Sequence, residues 1–304
     1  DAVESTAQVP KYIPGIVEEM TVSTHEDLLA VLARSGGAAT NEFYMYKYYK
    51  TEKGRVQSAW FKFILTGCEI INLHFIGQSL YLILKRGSKT FLEKMDLQTG
   101  LTDTGKAYTT HLDRRTSITA EESGFVLELP YDIESGDTMQ VVSEDGEVMT
   151  IQSQTTNTIT LYEEFAASDM FYVGIPYTMK YQLSKPVLKR QKPDGGYEII
   201  AVGRHQIRYM TVVYSDTAYF SVRITPEVGG SDGTPIDYPY SGRFLSTGGF
   251  LGQVVSDSGD FRFPVFSQSD AVKIEILNDS PLPSNIQSIE FEANFVSRSQ
   301  PRFA

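Results

Sequence analysis

The stretch Asp27-Leu-Leu-Ala-Val-Leu-Ala-Arg34 is typical of a buried β-strand, and Ser79-Leu-Tyr-Leu-Ile-Leu-Lys-Arg86, 52 residues further on, repeats its pattern. Both runs are short, apolar and followed by turn-forming residues, which favours strands over helices. The first run is one of four similar runs in residues 17–65, and the second run is one of three in residues 69–97. We predict strands at residues 17–23, 27–34, 43–50 and 59–65, and then at 69–75, 79–86 and 90–97.

These two sets predict incomplete propeller-like blades in residues 1–100. Four-stranded units that repeat every 40–50 residues or so are characteristic of propellers, whose rings need at least about four blades. Because two blades cannot close a ring, we expect the rest of the propeller to lie outside this chain.

The remaining sequence also indicates an all-β protein. Aromatic residues make up 12% of the chain, with 18 Tyr and 17 Phe, and no segment longer than about ten residues has the helical period. Residues 101–175 carry short strands separated by acidic turns, including the hairpin signal Asp145-Gly146. They predict a small acidic β-barrel or sandwich.

Residues 176–304 predict a C-terminal antiparallel β-sandwich. Apolar residues alternate with charged ones along residues 272–276, as expected for a strand with one buried face. We expect residues 206–213 and 218–224 to form a hairpin. Residues 226–242 are rich in Gly, Pro, Ser and Asp, so we expect a long exposed loop there.

Length and composition exclude several classes of protein. The chain has 304 residues, which at roughly 150 residues per domain suggests one to three domains. A hydrophobic fraction of 41% excludes disorder over most of the length. No apolar run approaches the roughly 20 residues that a membrane-spanning helix needs. Cys68 is the only cysteine, which excludes an intrachain disulfide and a cysteine-based zinc site.

The net charge of −11 is unevenly distributed. Residues 1–100 hold 11 basic and 11 acidic side chains, residues 101–190 hold 7 and 14, and residues 191–304 hold 9 and 13. A duplex-binding protein normally carries a basic face for the phosphates. We therefore expect no tight binding of DNA from free solution.

No motif predicts a catalytic, metal or cofactor site. Residues 229–233 match the nucleophile-elbow pattern, but they lie in a polar stretch between prolines, where the required strand and helix are not predicted. Residues 111–115 contain a His, an Asp and two Arg, which we interpret as a local ion pair. Neighbouring Glu residues on a strand point to opposite faces and do not make a glycosidase pair. The histidines lack metal-ligand spacing, and they are His25, His74, His111 and His205.

Several segments, taken in order, resemble the tail nozzle proteins (tail tubular protein B) of T7-like short-tailed bacteriophages. The segments are QVPKYIP (8–14), FYMYKY (43–48), QSAW (57–60), SLYLILKR (79–86), YVGIPY (172–177), GRHQIR (203–208), FRFPV (261–265) and IEFEANFVSR (289–298). Members of this family are longer, and the resemblance is to their C-terminal part. We therefore expect this chain, which starts at Asp1, to be a C-terminal portion.

The resemblance implies a structural protein of the virion, assembled in the host cytoplasm and placed at the distal end of the tail. Six copies would form a nozzle ring around the DNA exit channel. The ring would join a tubular adaptor similar to tail tubular protein A, help to anchor the tail fibre protein, and let double-stranded DNA pass without tight binding. Contact with the host outer surface is a further expectation. The resemblance implies neither catalysis nor a cofactor.

This interpretation makes two sets of residues candidates, one for lining the channel or a groove and one for contact with another subunit or partner. Acidic side chains of the middle segment would line the channel or a groove between subunits, because an acidic wall repels phosphates. They are Glu121, Glu122, Asp132, Glu134, Glu144, Asp145 and Glu147. Aromatic side chains, which are enriched in interfaces, would contact a neighbouring subunit or partner. They are Tyr44, Tyr46, Tyr48, Tyr49, Tyr238 and Tyr240.

Two alternatives belong to other functional classes. One is a tail-associated module that binds carbohydrate or degrades the host envelope, which would need an aromatic platform or a cleft with two carboxylates. The other is a non-viral repeat scaffold, which would need a closed propeller.

Overall fold

A computed structural model describes residues 6, 9, 11–51, 54–98, 100–193, 195–199, 203–242 and 254–296. These residues form strands, turns and loops, with no helix among them, so the predicted all-β class is confirmed. No helix suited to crossing a membrane occurs in the part of the chain that is described. The chain divides into two compact units, residues 1–101 with 131–137, and residues 102–130 with 138–304. The three-part division at residues 100 and 175 stays a prediction.

The first unit contains two antiparallel sheets in which consecutive strands are neighbours. The first sheet has the order β1-β2-β3-β4 and the second β5-β6-β7. All seven strands were predicted, six of them within one residue of each end, whereas β4 begins five residues earlier than expected. The assignment of the sheets to propeller blades stays a prediction. The strands are β1 Ile16–Ser23, β2 Leu28–Arg34, β3 Glu42–Thr51, β4 Gly54–Ile64, β5 Glu69–Ile76, β6 Ser79–Arg86 and β7 Lys89–Asp96.

One apolar core holds these two sheets together. Strand β2 contributes Leu28 and Leu32, and β6 contributes Leu80, Leu82 and Leu84, all of them buried. In each strand the residues that face this core alternate along the chain, with Ala30 between Leu28 and Leu32, as the two-residue period of a strand requires. Each fully buried Leu contributes roughly 1.5–3 kcal/mol relative to an exposed one, so this alternation accounts for the pairing of the two sheets.

The second unit begins with a small sandwich of two sheets. One sheet has the order β11-β10-β14-β8 and the other β12-β13-β9. Phe165 and Phe171 meet between them with their ring centroids 5.4 Å apart. The strands are β8 Asp113–Thr119, β9 Gly124–Glu128, β10 Gln140–Ser143, β11 Val148–Met149, β12 Ile151–Gln154, β13 Thr158–Phe165 and β14 Met170–Ile175.

The rest of the second unit is a larger antiparallel sandwich. Its first sheet has the order β15-β23-β19, with β20 and β21 also paired to β19, and its second sheet has the order β22-β18-β24. Buried residues of both sheets, among them Met210, Phe220, Phe263 and Ile274, form one core. A separate hairpin consists of β16 and β17. The strands are β15 Met179–Gln182, β16 Lys189–Gln191, β17 Tyr197–Ile199, β18 Arg204–Thr217, β19 Tyr219–Val228, β20 Ser231–Asp232, β21 Ile236–Ser241, β22 Asp257–Gln268, β23 Val272–Asn278 and β24 Ile286–Val296.

The expected hairpin of residues 206–213 with 218–224 is wrong. Strand β18 pairs with β22 and β24, whereas β19 pairs with β21 and β23 in the facing sheet. The chain changes sheets at Asp216, which has a positive φ of 46°. The Thr217 hydroxyl fixes this corner by donating to the Ser215 carbonyl and accepting from the Asn285 amide. Both strands bury alternate residues toward the same core, and their sequence pattern does not distinguish a corner from a hairpin.

The expected loop of residues 226–242 is also wrong in part. Strand β21, at Ile236–Ser241, pairs along β19 and forms an edge of its sheet. Pro239 is tolerated within it because a proline fits an edge strand, where one row of amides needs no partner. Gly229 and Gly230, both with positive φ, turn the chain between β19 and β20.

Candidate functional site

Three acidic turns lie together at one end of the small sandwich. They connect β8 to β9, β10 to β11, and β13 to β14. The amide of Ala120 donates to the Asp169 carbonyl at 2.8 Å, and the amide of Ser168 donates to the Ala120 carbonyl at 2.8 Å. The Glu144 amide donates to the Met170 carbonyl at 3.0 Å. These backbone bonds bring together carboxylates that lie up to 48 residues apart, from Glu121 to Asp169.

The charge of this acidic end is largely uncompensated. Glu121, Glu122, Glu144 and Glu147 are exposed and make no ion pair with any residue that the structure describes. Asp145 is half-buried and pairs with the Lys106 ammonium at 3.1 Å. The remaining carboxylates do not converge into a metal site, since the described residues contain no cluster of metal-binding side chains.

Asp132 and Glu134 make a separate acidic pair within the first unit. They belong to the first unit, where the Lys89 ammonium lies 2.7 Å from Asp132 and 3.6 Å from Glu134. The hydrogen bond to Asp132 raises the pKa of Lys89 above its usual value, with the charge of that carboxylate as a second cause. The structure therefore brings together five of the seven predicted acidic residues within the second unit, and the other two belong to the first unit.

The predicted aromatic run along β3 is not one surface. Tyr44 and Tyr46 are buried against the outer side of the first sheet, where Tyr44 meets Tyr12 and Tyr46 meets Trp60. Tyr48 is half-buried, and Tyr49 is 60% exposed. Of this run, Tyr49 therefore presents the most surface to another molecule.

Tyr238 and Tyr240 pack against the core of the larger sandwich. Tyr240 stacks on Phe220 with the ring centroids 4.9 Å apart, and its ring lies 4.5 Å from that of Tyr214. Burial, followed by the hydrogen bond with Tyr214, raises the pKa of Tyr240. Both tyrosines are half-buried on β21, so each offers only part of its ring to solvent.

A polar pocket that sequence reasoning missed lies on the outer face of the small sandwich. Its volume is about 280 Å³, and its centre is an ion pair between Asp103 and Arg115 at 2.5 Å. The two residues lie twelve positions apart in a segment without periodicity, so no sequence signal joins them. The pocket is lined by Thr102, Asp103, Thr104, Arg115, Ser117, Met170 and Tyr172.

His111, next to this segment, is affected by the same ion pair. Desolvation lowers the pKa of His111, the charge of Arg115 lowers it further, and the charge of Asp103 acts in the opposite direction. Within the predicted ion pair of residues 111–115, Arg115 also has a partner outside the segment, since its guanidinium pairs with Asp103.

Comparison with known proteins supplies the context for these features. A sequence model of the family described as "Bacteriophage nozzle protein" matches residues 1–302. The chain is also similar to "Tail tubular protein gp12" of Escherichia phage T7, with 22% identity over 316 aligned positions. That alignment covers 98% of this chain and 39% of the T7 protein, so the chain spans about two fifths of the length of this relative.

Proposed function

We propose a role for the chain on the basis of its family: it belongs to the bacteriophage nozzle proteins. It is accordingly a structural component of the virion tail. Within the tail, six copies form a ring at the distal end and enclose the channel through which the genome leaves. Beyond family membership, the observation that carries this proposal is the acidic end of the small sandwich.

The acidic end suits the wall of a DNA channel. Uncompensated carboxylates repel phosphates, whereas a basic wall would hold the duplex through many contacts that release counterions. We assign Glu121, Glu122, Glu144, Asp145 and Glu147 to the lumen or to a groove between subunits. We also assign Asp132 and Glu134 to the lumen or to a groove between subunits. Their contribution to the negative charge is separate and weaker, because Lys89 offsets part of it.

A hairpin in the first unit is suited to contact a neighbouring copy. A closed ring of identical subunits repeats one head-to-tail interface. Strand β2 pairs with β3 only along residues 44–47, so the hairpin of β3 and β4 extends beyond it. The exposed Tyr49 lies on this extension, and aromatic residues are enriched in interface cores. The other tyrosines of the proposed contact set stabilise the fold from within. Tyr44, Tyr46 and Tyr48 support the hairpin, and Tyr238 and Tyr240 support the larger sandwich.

The proposed partners are other parts of the tail and its cargo. They are a tubular adaptor ring, the tail fibre protein, and double-stranded DNA that passes without tight binding, with the host outer surface as a further contact. The similarity to a T7 protein described as tail tubular supports assembly with other tail proteins. The family is structural, and the proposed role requires neither catalysis nor a cofactor.

The oligomeric mass of the chain tests the ring. A hexamer of the 34.0 kDa chain has a mass of about 200 kDa, which light scattering after size exclusion measures directly. We expect Tyr49→Ala to lower the hexamer fraction. Tyr181→Ala is the matched control, because Tyr181 is 56% exposed and belongs to the other unit.

A monomer at all concentrations, or equal effects of the two substitutions, would contradict ring closure through the β3–β4 hairpin. Electron microscopy of the assembled ring then tests the lumen assignment. Carboxylates of the acidic end on the outer wall of that ring would overturn it.

A further inference from the structure

We propose that the polar pocket around Asp103 and Arg115 binds a neutral polyhydroxylated ligand, namely one sugar unit. This inference goes beyond the tail role, because it assigns a ligand to a site that ring formation and DNA passage do not use. All of the lining residues belong to the second unit, so the site is complete in a single copy.

The floor of the pocket is rigid and charged. The Asp103 side chain is only 3% exposed, and both of its carboxylate oxygens are used. Oδ1 accepts from Arg115 Nη1 at 2.5 Å, and Oδ2 accepts from the Thr110 amide at 2.7 Å. Arg115 Nη1 also donates to the Thr110 carbonyl at 3.1 Å. The guanidinium is therefore held in one orientation before any ligand arrives, which lowers the cost of ordering on binding.

The rest of that guanidinium is available to a ligand. Nε and Nη2 of Arg115 make no hydrogen bond within the described part of the chain, and the side chain is 32% exposed. The group lies over the Tyr172 ring, 5.0 Å from its centroid. Two N–H groups in a fixed fork match a pair of oxygens on adjacent atoms, such as two neighbouring hydroxyls of a sugar.

The other lining groups both donate and accept hydrogen bonds. Thr102, Thr104 and Ser117 bring hydroxyls, each of which can do either. Sugar hydroxyls have the same dual capacity. Met170 adds an apolar surface for the ring carbons. The volume of about 280 Å³ is near the lower end of small-molecule pockets, which start at about 300 Å³, and suits a single ring.

The local charges favour a neutral ligand. The charged groups that act on the Tyr172 hydroxyl are Asp103 and Glu144 of one sign, and Arg115 and Lys106 of the other. An anion would also meet the exposed glutamates of the acidic end nearby, on the turn that follows β10. A cation would find both oxygens of Asp103 already in use. Because charges of both signs surround the pocket, hydrogen bonding to hydroxyl groups is the chemistry that the site offers a ligand.

Ligand-observed saturation-transfer NMR on the full 304-residue chain tests the proposal. The probes are glucose, galactose, N-acetylglucosamine and rhamnose, with glucuronate as the charged counterpart. We expect transfer to at least one neutral sugar and weaker transfer to glucuronate. A binding sugar is then presented as the terminal unit of an oligosaccharide, which separates a free-sugar site from a glycan site; either form sustains the proposal.

Two matched substitutions locate the binding. Ser117→Phe fills the pocket, whereas Thr119→Phe puts the same ring two residues further along the same face of β8, outside the lining. We expect at least a tenfold loss of affinity in the first variant and no change in the second. Thr104→Val, which removes one hydroxyl from a loop, gives a second readout that does not depend on how β8 tolerates a large side chain.

The proposal is overturned if no neutral sugar gives transfer, if Ser117→Phe keeps the affinity, or if glucuronate binds more tightly than the neutral probes. The measurement needs neither the ring nor DNA. Failure of the sugar site therefore leaves the tail role intact, and a monomeric chain leaves the sugar site intact.

Discussion

At the scale of single residues, the face of a strand decides what a side chain does. Tyr44, Tyr46 and Tyr49 lie within six positions of one another on β3, but the first two are buried and the third is exposed. The difference arises because Tyr44 and Tyr46 lie on the face that Tyr12 and Trp60 cover, whereas Tyr49 lies on the opposite face, beyond the end of the pairing with β2. A run of tyrosines in the sequence therefore contains both structural and accessible members.

Tyr44 should make the stability of the protein sensitive to alkaline pH. Burial first, and then the charge of Glu42, raises the pKa of Tyr44 from 10.0 to about 12. Its hydroxyl also bonds to the Glu42 carboxylate at 3.2 Å. A raised pKa in the folded state means that the stabilising contribution is complete below pH 10 and is lost as the pH rises toward about 12.

We expect Tyr44→Phe to reduce this alkaline loss, since phenylalanine does not ionise. The measurement is the free energy of unfolding from urea titrations across that pH range. Tyr49→Phe is the control, because it removes the same hydroxyl from an exposed position on the same strand. Identical pH dependence in the wild type and both variants would contradict the assignment.

Among the elements, a tight turn can be predicted from its own residues, whereas a corner at which the chain changes sheets cannot. The Asp145-Gly146 signal correctly predicts the β10–β11 hairpin, in which the Gly146 amide donates to the Ser143 carbonyl. The corner between β18 and β19 has no comparable signal, because its geometry depends on bonds to Asn285 and Pro283, far away in the sequence.

Gly146 is constrained by its conformation and by distant neighbours. Its φ is +84°, and a Cβ at this position would lie 2.0 Å from Val254 Cγ2 and 2.9 Å from the Tyr108 hydroxyl. We expect Gly146→Ala to destabilise the protein by about 2 kcal/mol or more, as a substitution that combines strain with overlap.

Gly105→Ala separates the two causes. Gly105 also has a positive φ, of +75°, but a Cβ there would meet open space. We expect it to cost only about 1–2 kcal/mol, the strain of the left-handed conformation. Denaturant midpoints of both variants give the comparison, and an equal loss would show that the contact with Val254 contributes nothing.

At the scale of the whole molecule, charge is the property that bears most directly on function. The net charge of −11 comes from residues 101–304, while residues 1–100 are neutral overall. Folding concentrates part of it at the acidic end of the small sandwich. The result is a surface that repels a polyanion without a specific site for it.

We expect the chain to bind duplex DNA more weakly than the roughly 10⁻⁴–10⁻⁶ M that is typical of non-specific binding at physiological salt. Fluorescence anisotropy with a labelled duplex measures this. A variant with Glu121, Glu122, Glu144 and Glu147 all replaced by Lys should gain binding that weakens as salt is added. Micromolar binding by the wild type would contradict the proposed role as a channel wall that does not bind DNA tightly.

Patterns within the amino-acid sequence are enough to predict the all-β class, the seven strands of the first unit and the β10–β11 turn. These follow from the two-residue period of strands and from the backbone freedom of glycine, which act within a few residues. Acidic turns between short strands also single out five of the carboxylates of the acidic end, whereas the meeting of these turns is a tertiary feature.

The remaining features depend on contacts between residues that are distant in the sequence. The fold pairs Asp132 and Glu134 with Lys89, buries Tyr44 and Tyr46, and joins Asp103 to Arg115. Each outcome depends on which distant strand covers a given face or edge. Pairing of that kind is set by burial of apolar area between sheets, which has no fixed spacing along the chain and leaves no local pattern in the sequence.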